Sequence, residues 1–181
     1  SKLIAKLLQQ SSADTINVFE AGCFAGLNLA MIEDQLPEPT KRRTRFTGVE
    51  PNAEAVKFAA KTYPGFRFVR GSLEDVYSRD LGLPERFDIC LVSSVFIILD
   101  PETVRNFLGF LSARTEHLVI CDDIMNVDGE MTVLRDSMNT FIHNFRQLLT
   151  KAGFQIDSLS LATQPERDRT GFIVASSIRE N

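Results

Sequence analysis

The chain has 181 residues, enough for one domain with a full hydrophobic core. Hydrophobic residues make up 44% and charged residues 24%, which is ordinary for a soluble globular protein. A net charge of −4 excludes bulk attraction to nucleic acid or to an anionic membrane surface.

The three cysteines, Cys23, Cys90 and Cys121, are odd in number and not spaced as metal pairs. They imply no disulfide framework and a reduced, cytoplasmic setting. No run is apolar and long enough to span a bilayer, and no signal peptide is visible. The chain opens on Ser1 rather than methionine, so an N-terminal segment that helps cover the site is expected to be missing. No linker, repeat or low-complexity stretch divides it, and residues 1–181 read as a single domain.

Lys2 to Gln10 reads as an amphipathic helix with Leu3, Ile4, Leu7 and Leu8 on one side. Ile16 to Glu20 is the first strand. It turns through Gly22 and Gly26 into a helix from about Leu27 to Gln35, in which Leu27, Ala30 and Met31 follow at helical spacing. Leu36 to Pro39 and the run Lys41-Arg42-Arg43 with Arg45 read as a loop, its basic residues solvated. Phe46 to Glu50 is the second strand. Asn52 to Tyr63 is the next helix, with Ala55, Val56, Ala59 and Ala60 inward. Phe66 to Arg70 is the third strand, and Leu73 to Leu81 is partly helical.

Phe87 to Ser93 is continuously apolar at its centre, as a central parallel strand should be. Asp100-Pro101 opens a helix whose stripe is Val104, Phe107, Leu108 and Leu111. Leu118 to Cys121 is the fifth strand. A long helix is predicted from about Glu130 to Lys151, stopped at Gly153. Phe154 to Leu161 and Gly171 to Ser177 leave no room for a helix between them and read as an antiparallel pair. The alternation predicts an α/β fold with a mostly parallel sheet covered by helices.

The stretch Val18-Phe-Glu-Ala-Gly-Cys-Phe-Ala-Gly-Leu-Asn-Leu29 carries the most information. Its pattern, an acid at a strand end followed by a glycine turn, resembles the first motif of class I S-adenosylmethionine-dependent methyltransferases. That motif has three glycines at alternate positions, and Phe24 stands where the middle one would be. The dinucleotide fingerprint G-x-G-x-x-G is absent. The resemblance extends over nearly the whole chain. It implies a Rossmann-like seven-stranded sheet in the order 3-2-1-4-5-7-6, with helices on both faces.

The resemblance also assigns roles at the strand ends. Glu20 with Gly22, Cys23, Phe24 and Gly26 would face the methionine part of S-adenosylmethionine. Glu50, followed by Pro51, would accept the ribose hydroxyls, since a carboxylate offers two acceptor oxygens. Ser72, Leu73 and Glu74 would meet the adenine, and Ser93 and Ser94 would lie under the sulfonium. Each has a purely structural alternative. Glu20 caps its turn, Glu50 complements the helix that Asn52 caps, and Ser72 caps a short helix. The pattern E-x-G-x-x-x-G-x-N-L from Glu20 to Leu29 is also similar to methylases of pseudaminic acid and related surface-sugar synthesis. Those tend to carry a histidine where this chain has Ile98 or Leu99. The N/D-P-P-Y/F motif of adenine and glutamine methylases is absent.

For proton acceptance the candidates are His143, Asp122 and Asp123. His143 has the alternative of a surface or capping residue. Metal-dependent relatives place ligands where Asp122 and Asp123 stand, with a further acid after the fourth strand. Here that position is Ser93-Ser94, so no metal is expected. The expected activity is methyl transfer from S-adenosylmethionine to oxygen or nitrogen of a small molecule, a sugar or sugar-containing metabolite being favoured. S-adenosylhomocysteine would be the second product. The expected partner is that acceptor alone, with no nucleic acid and no membrane. The alternative is a non-catalytic S-adenosylmethionine-binding module serving a partner enzyme. A nicotinamide dehydrogenase is disfavoured by the glycine pattern.

Overall fold

Strand β1 (Ile16–Ala21) is buried along almost its whole length. Strand β2 (Thr44–Glu50) runs parallel to it and sets Gly48 opposite Glu20. Strand β3 (Arg67–Arg70) continues beyond β2 with Arg70 opposite Glu50. Three carboxyl ends therefore lie side by side, where ligands of open α/β sheets bind. The structure is a computed structural model and describes residues 1–123, 133–135, 140–161 and 170–178.

The chain divides into two compact units, Ser1–Leu91 and Val92–Asn181, with the boundary inside β4 (Phe87–Ser93). The first unit also holds α1 (Lys2–Gln10), α2 (Leu27–Glu33), α3 (Glu38–Arg43), α4 (Ala53–Thr62) and α5 (Leu73–Ser78). Its core includes the stacked rings of Phe19 and Phe87, centroids 4.6 Å apart. The predicted inward faces need adjustment. Helix α1 buries Ile4, Ala5 and Leu8 and leaves Leu3 exposed. Helix α2 buries Leu29 and Ile32, while Leu27 and Met31 are exposed. Helix α4 buries Ala55 and Ala59 but not Ala60.

The basic run is not a loop but the last turn of α3, where cations complement the helix dipole. Arg43 donates to the carbonyls of Ala13 and Ser11, and Lys41 pairs with Glu33. Proline is compatible with a first helical turn, so Pro39 did not prevent this helix.

The second unit begins with the end of β4 and a 3₁₀ turn, Phe96–Ile98. It continues with α6 (Pro101–Ser112), β5 (Thr115–Asp123), β6 (Val133–Arg135), β7 (Thr140–Ile142), α7 (Phe145–Ala152), β8 (Phe154–Leu161) and β9 (Thr170–Ser177). Phe96 is fully buried, with the rings of Phe107 and Phe145 6.1 and 5.6 Å away. β9 pairs antiparallel with both β5 and β8, so the sheet is mixed.

The sheet order is β3-β2-β1-β4-β5-β9-β8, with β6 and β7 paired separately. The expected numbering, 3-2-1-4-5-7-6, is corrected accordingly, because an additional antiparallel pair, β6 and β7, precedes the terminal one. The long helix expected over 130–151 is corrected too. Within its described part, residues 140–142 are strand and the helix begins only at Phe145. Thr140 and Ile142 are β-branched and favour a strand. Asn144 then caps α7, its side chain accepting the Gln147 amide at 3.1 Å. Residues 130–132 and 136–139 of that prediction lie outside the described residues.

Candidate functional site

In the first unit the loop after β1 is built from left-handed backbone. Gly22, Phe24 and Gly26 have φ of 72°, 43° and 81°. Two are glycines, which tolerate this conformation. Phe24 stands at the position of the missing middle glycine and takes the left-handed conformation all the same, its side chain 64% exposed. Such a residue persists only where its surroundings hold it.

Several contacts hold it. The Gly22 and Cys23 amides donate to the Val49 carbonyl at 2.8 and 3.1 Å. The Phe24 amide donates to Glu50 Oε2 at 3.1 Å. The backbones approach so closely that a β-carbon on Gly48 would stand 2.5 Å from the Cys23 sulfur. One on Gly26 would stand 2.7 Å from the Phe68 ring. Gly48, outside the first motif, thus proves as necessary to the loop as the glycines within it.

Glu20 is fully buried at the end of β1. Its Oε1 accepts the Asn28 side-chain amide at 2.7 Å, while Oε2 is buried with no hydrogen-bond partner among the described residues. Burial pushes its pKa up to about 7; the Asn28 bond opposes this and Glu50 adds to it. The Cys23 thiol is pushed up to about 12, mainly by burial and then by Glu20 and Glu50, so it is no nucleophile at neutral pH. Sequence reasoning did not single out Asn28 as a site residue. Its signal was its place in the first turn of α2, two residues after Gly26.

Glu50 is buried at the end of β2. Its Oε1 accepts the Asn52 amide at 2.9 Å, so each oxygen holds one backbone amide. Asn52 caps α4 through its own side chain. The helix-complementing role expected of Glu50 is thus seen, and a carboxylate oxygen that accepts one amide can accept a second donor. Pro51 is exposed and its carbonyl receives Arg70 Nε at 3.4 Å.

At the end of β3 the Gly71 amide donates to the Glu50 carbonyl, which ties this turn to β2. Ser72 and Asp75 form a capping box at the start of α5. The Ser72 hydroxyl is thus engaged locally. Leu73 is buried, and the Glu74 side chain is exposed.

The second unit collects the remaining candidates. Ser93 is half-buried, and exposed Ser94 has φ of 55° with its amide donating to the Cys121 carbonyl at 2.8 Å. Asp122 is buried at the end of β5; Oδ2 accepts the Ile97 amide at 3.3 Å and Oδ1 the Asp123 amide at 2.8 Å. Burial pushes its pKa up to about 6 against these bonds. Asp123 is half-buried, its side chain on the other face of the strand.

His143 is fully buried and not the surface residue of the alternative reading. Its Nε2 lies 2.8 Å from the Phe96 carbonyl and 3.1 Å from that of Leu99. A ring nitrogen facing two carbonyls must carry the hydrogen, so Nε2 is a donor here and cannot accept a substrate proton. Burial lowers its pKa against the pull of those carbonyls. Through Nε2, His143 braces the turn after β4, so the general-base role expected of it would fall to its other ring nitrogen. Among the described residues no cluster of three metal-ligating side chains occurs, and no helix is long and apolar enough to cross a membrane.

No family model and no curated protein matches the chain. Solved structures do. An O-methyltransferase from the trans-AT PKS multienzyme of Brevibacillus brevis, in complex with S-adenosyl-L-homocysteine, matches at 10% identity with a TM-score of 0.69, over 96% of this chain and 71% of that one. Magnesium protoporphyrin IX methyltransferase ChlM from Synechocystis PCC 6803, with bound SAM, matches at 15% identity and TM-score 0.65, over 97% and 76%. The CurJ carbon methyltransferase matches at 15% identity and TM-score 0.75; the aligned part is 98% of this chain but only 52% of that one. The chain has the fold of class I S-adenosylmethionine-dependent methyltransferases.

Proposed function

We propose that the chain is an S-adenosylmethionine-dependent methyltransferase acting on oxygen or nitrogen of a small molecule. The observation that carries this reading is the pair of buried strand-end acids, Glu20 and Glu50, beside a left-handed loop. No ion pair among the described residues involves either acid. Two buried acids with no cation paired to them offer nothing to a pyrophosphate and favour a ligand that carries positive charge. That argues against a nicotinamide dinucleotide and for S-adenosylmethionine, which supplies an activated methyl group on a sulfonium.

The residues fit that cofactor. The open Oε2 of Glu20 is a buried acceptor in need of a donor. Glu50 keeps one lone pair per oxygen for two vicinal hydroxyls. The loop from Gly22 to Gly26, with Cys23 and Phe24, would hold the methionine part. The turn of Ser72, Leu73 and Glu74 would hold the adenine, through backbone more than through the engaged Ser72 hydroxyl.

The candidates for proton acceptance are Asp122, Asp123 and the second ring nitrogen of His143. Asp122, with a pKa near 6, is close to the value a general base needs at neutral pH. A sugar-like acceptor rests on the sequence patterns at Glu20–Leu29, Gly48–Val56 and Gly71–Leu73, because the fold serves O-, C- and protoporphyrin methyltransferases alike.

The test has two stages. S-adenosylmethionine and S-adenosylhomocysteine should raise the melting temperature and NAD should not, because a ligand bound only by the native state stabilises it by mass action. No shift at millimolar S-adenosylhomocysteine overturns the reading. Label from methyl-labelled cofactor should then appear in a small-metabolite extract. Binding without transfer would favour the non-catalytic module.

A further inference from the structure

A fully buried carboxyl with one bonded oxygen and one bare oxygen is a costly arrangement for a charged group. Among the described residues no cation pairs with Glu20 to relieve it. The groups that face it are the Glu50 carboxyl from β2, the Cys23 thiol from the loop and the Cys90 thiol from β4. Both thiols are held neutral, chiefly by burial, and from α2 the uncharged amide of Asn28 bonds Glu20. A second acid nearby adds to the cost of ionising the first.

Resting on the methyltransferase reading, we infer that Glu20 is a proton-for-ammonium exchange site: a neutral carboxylic acid in the free protein, it releases its proton to solvent when the primary ammonium of the cofactor's amino-acid end docks beside it. The balance closes. The ammonium keeps its three hydrogens and its charge, the carboxyl becomes a carboxylate, and one proton enters the buffer. The net charge of the pocket is the same before and after, because the arriving cation replaces the departing proton. Cofactor loading is therefore pH-dependent through a residue remote from the transferred methyl group. Affinity rises as pH rises toward the pKa of the free protein, about 7, and levels off above it.

S-adenosylhomocysteine is the probe, since it carries the ammonium without the sulfonium. Calorimetric titrations of the full chain in phosphate and in Tris, buffers of different ionisation heat, read the protons released. At pH 7 the expected release is roughly half a proton per ligand, approaching one near pH 5.5 and vanishing near pH 8.5. 5′-Methylthioadenosine, which lacks the amino-acid end, should bind with no release. Glu20→Gln should bind S-adenosylhomocysteine roughly ten- to a hundredfold more weakly, with no buffer dependence, because a charge-assisted bond is lost. The comparison of the two ligands on the unaltered protein stands even if that variant does not fold. Tight binding with equal heats in both buffers, or equal release with methylthioadenosine, overturns the exchange and leaves the methyltransferase reading intact. No binding at all overturns both.

Discussion

The Glu50 carboxylate receives the Phe24 amide at 3.1 Å, which fastens the end of β2 to the middle of the loop after β1. The same side chain receives the Asn52 amide at the start of α4. One carboxylate thus shapes the loop and orients the next helix before any ligand arrives.

Glu50→Ala should therefore do two things. It should weaken S-adenosylhomocysteine binding by on the order of 2–3 kcal/mol, the worth of charge-assisted hydrogen bonds. It should also lower the melting temperature of the ligand-free protein, since two amides lose their acceptor. Calorimetry showing unchanged affinity, with only the melting temperature reduced, would confine Glu50 to the loop-fastening role.

Phe24 offers a test of backbone strain. A left-handed phenylalanine costs roughly 1–2 kcal/mol relative to a residue that accepts this conformation. Its side chain is 64% exposed, so little packing is lost on removing it. Phe24→Gly should leave stability unchanged or raise it by up to about 1 kcal/mol, the gain reduced by the greater freedom of glycine when unfolded. Phe24→Val should destabilise, because a β-branched residue resists positive φ. Denaturant melts of the two variants give the order directly; a glycine variant less stable than the valine one would mean the ring packs more than its exposure implies.

Stability should depend on pH in a stated direction. Glu20 has a folded-state pKa of about 7 against an ordinary 4.5, and Asp122 about 6 against 3.8, burial being the main cause for both. The folded chain thus binds these protons more tightly than the unfolded one. Their contribution is fully present below the ordinary values and is lost as pH rises through the folded ones. Glu20→Gln cannot ionise. It should match the wild type near pH 4.5 and exceed it at pH 8, by on the order of 2–3 kcal/mol. Melts that track the wild type at every pH would show that the ionised carboxyl is accommodated without cost.

Much of this arrangement was legible from local chemistry. Buried parallel strands read as apolar runs, and the acids that end β1 and β2 interrupt those runs abruptly. Caps such as Asn52 and Asp100 announce their helices through one short side chain, and both accept the amides expected of them. What escaped was non-local or ambiguous in period. Leu134, Ile142 and Phe145 lie at spacings a helix would use, yet residues 140–142 form a strand and α7 starts after Asn144. The bare oxygen of Glu20 could not be read from spacing, because it depends on what β2, α2 and β4 leave around it. The clearance between Gly48 and Cys23 depends likewise on how β2 meets a loop 25 residues earlier in the chain.

That clearance gives a double-substitution test. Gly48→Ala puts a β-carbon against the sulfur and β-carbon of Cys23, at 2.5 and 2.8 Å. The strand is hydrogen-bonded on both sides, so the loop must move, at a cost of about 1–3 kcal/mol typical of overpacking. Cys23→Gly removes both atoms. Added to Gly48→Ala, it should recover part of the loss, a coupling that a thermodynamic cycle measures. Additive losses would place the strain elsewhere, at the Phe68 ring 3.1 Å away.

His143 separates bracing from acid–base chemistry. Its Nε2 hydrogen serves the Phe96 and Leu99 carbonyls at either end of the turn after β4, and its ring lies among Phe141 and Phe145. His143→Ala should destabilise the protein by about 2–4 kcal/mol, through a cavity and the loss of the bonds to two carbonyls. His143→Gln, which keeps a side-chain N–H, should recover part of that loss. Because burial lowers the folded-state pKa, the unfolded chain binds this proton more readily. The contribution of His143 is therefore present above the ordinary histidine range and is lost as pH falls through the folded value. Melts of wild type and His143→Gln should converge on acidification and separate toward pH 8. A variant as stable as the wild type at pH 8, yet unable to transfer methyl groups, would return His143 to the role of base.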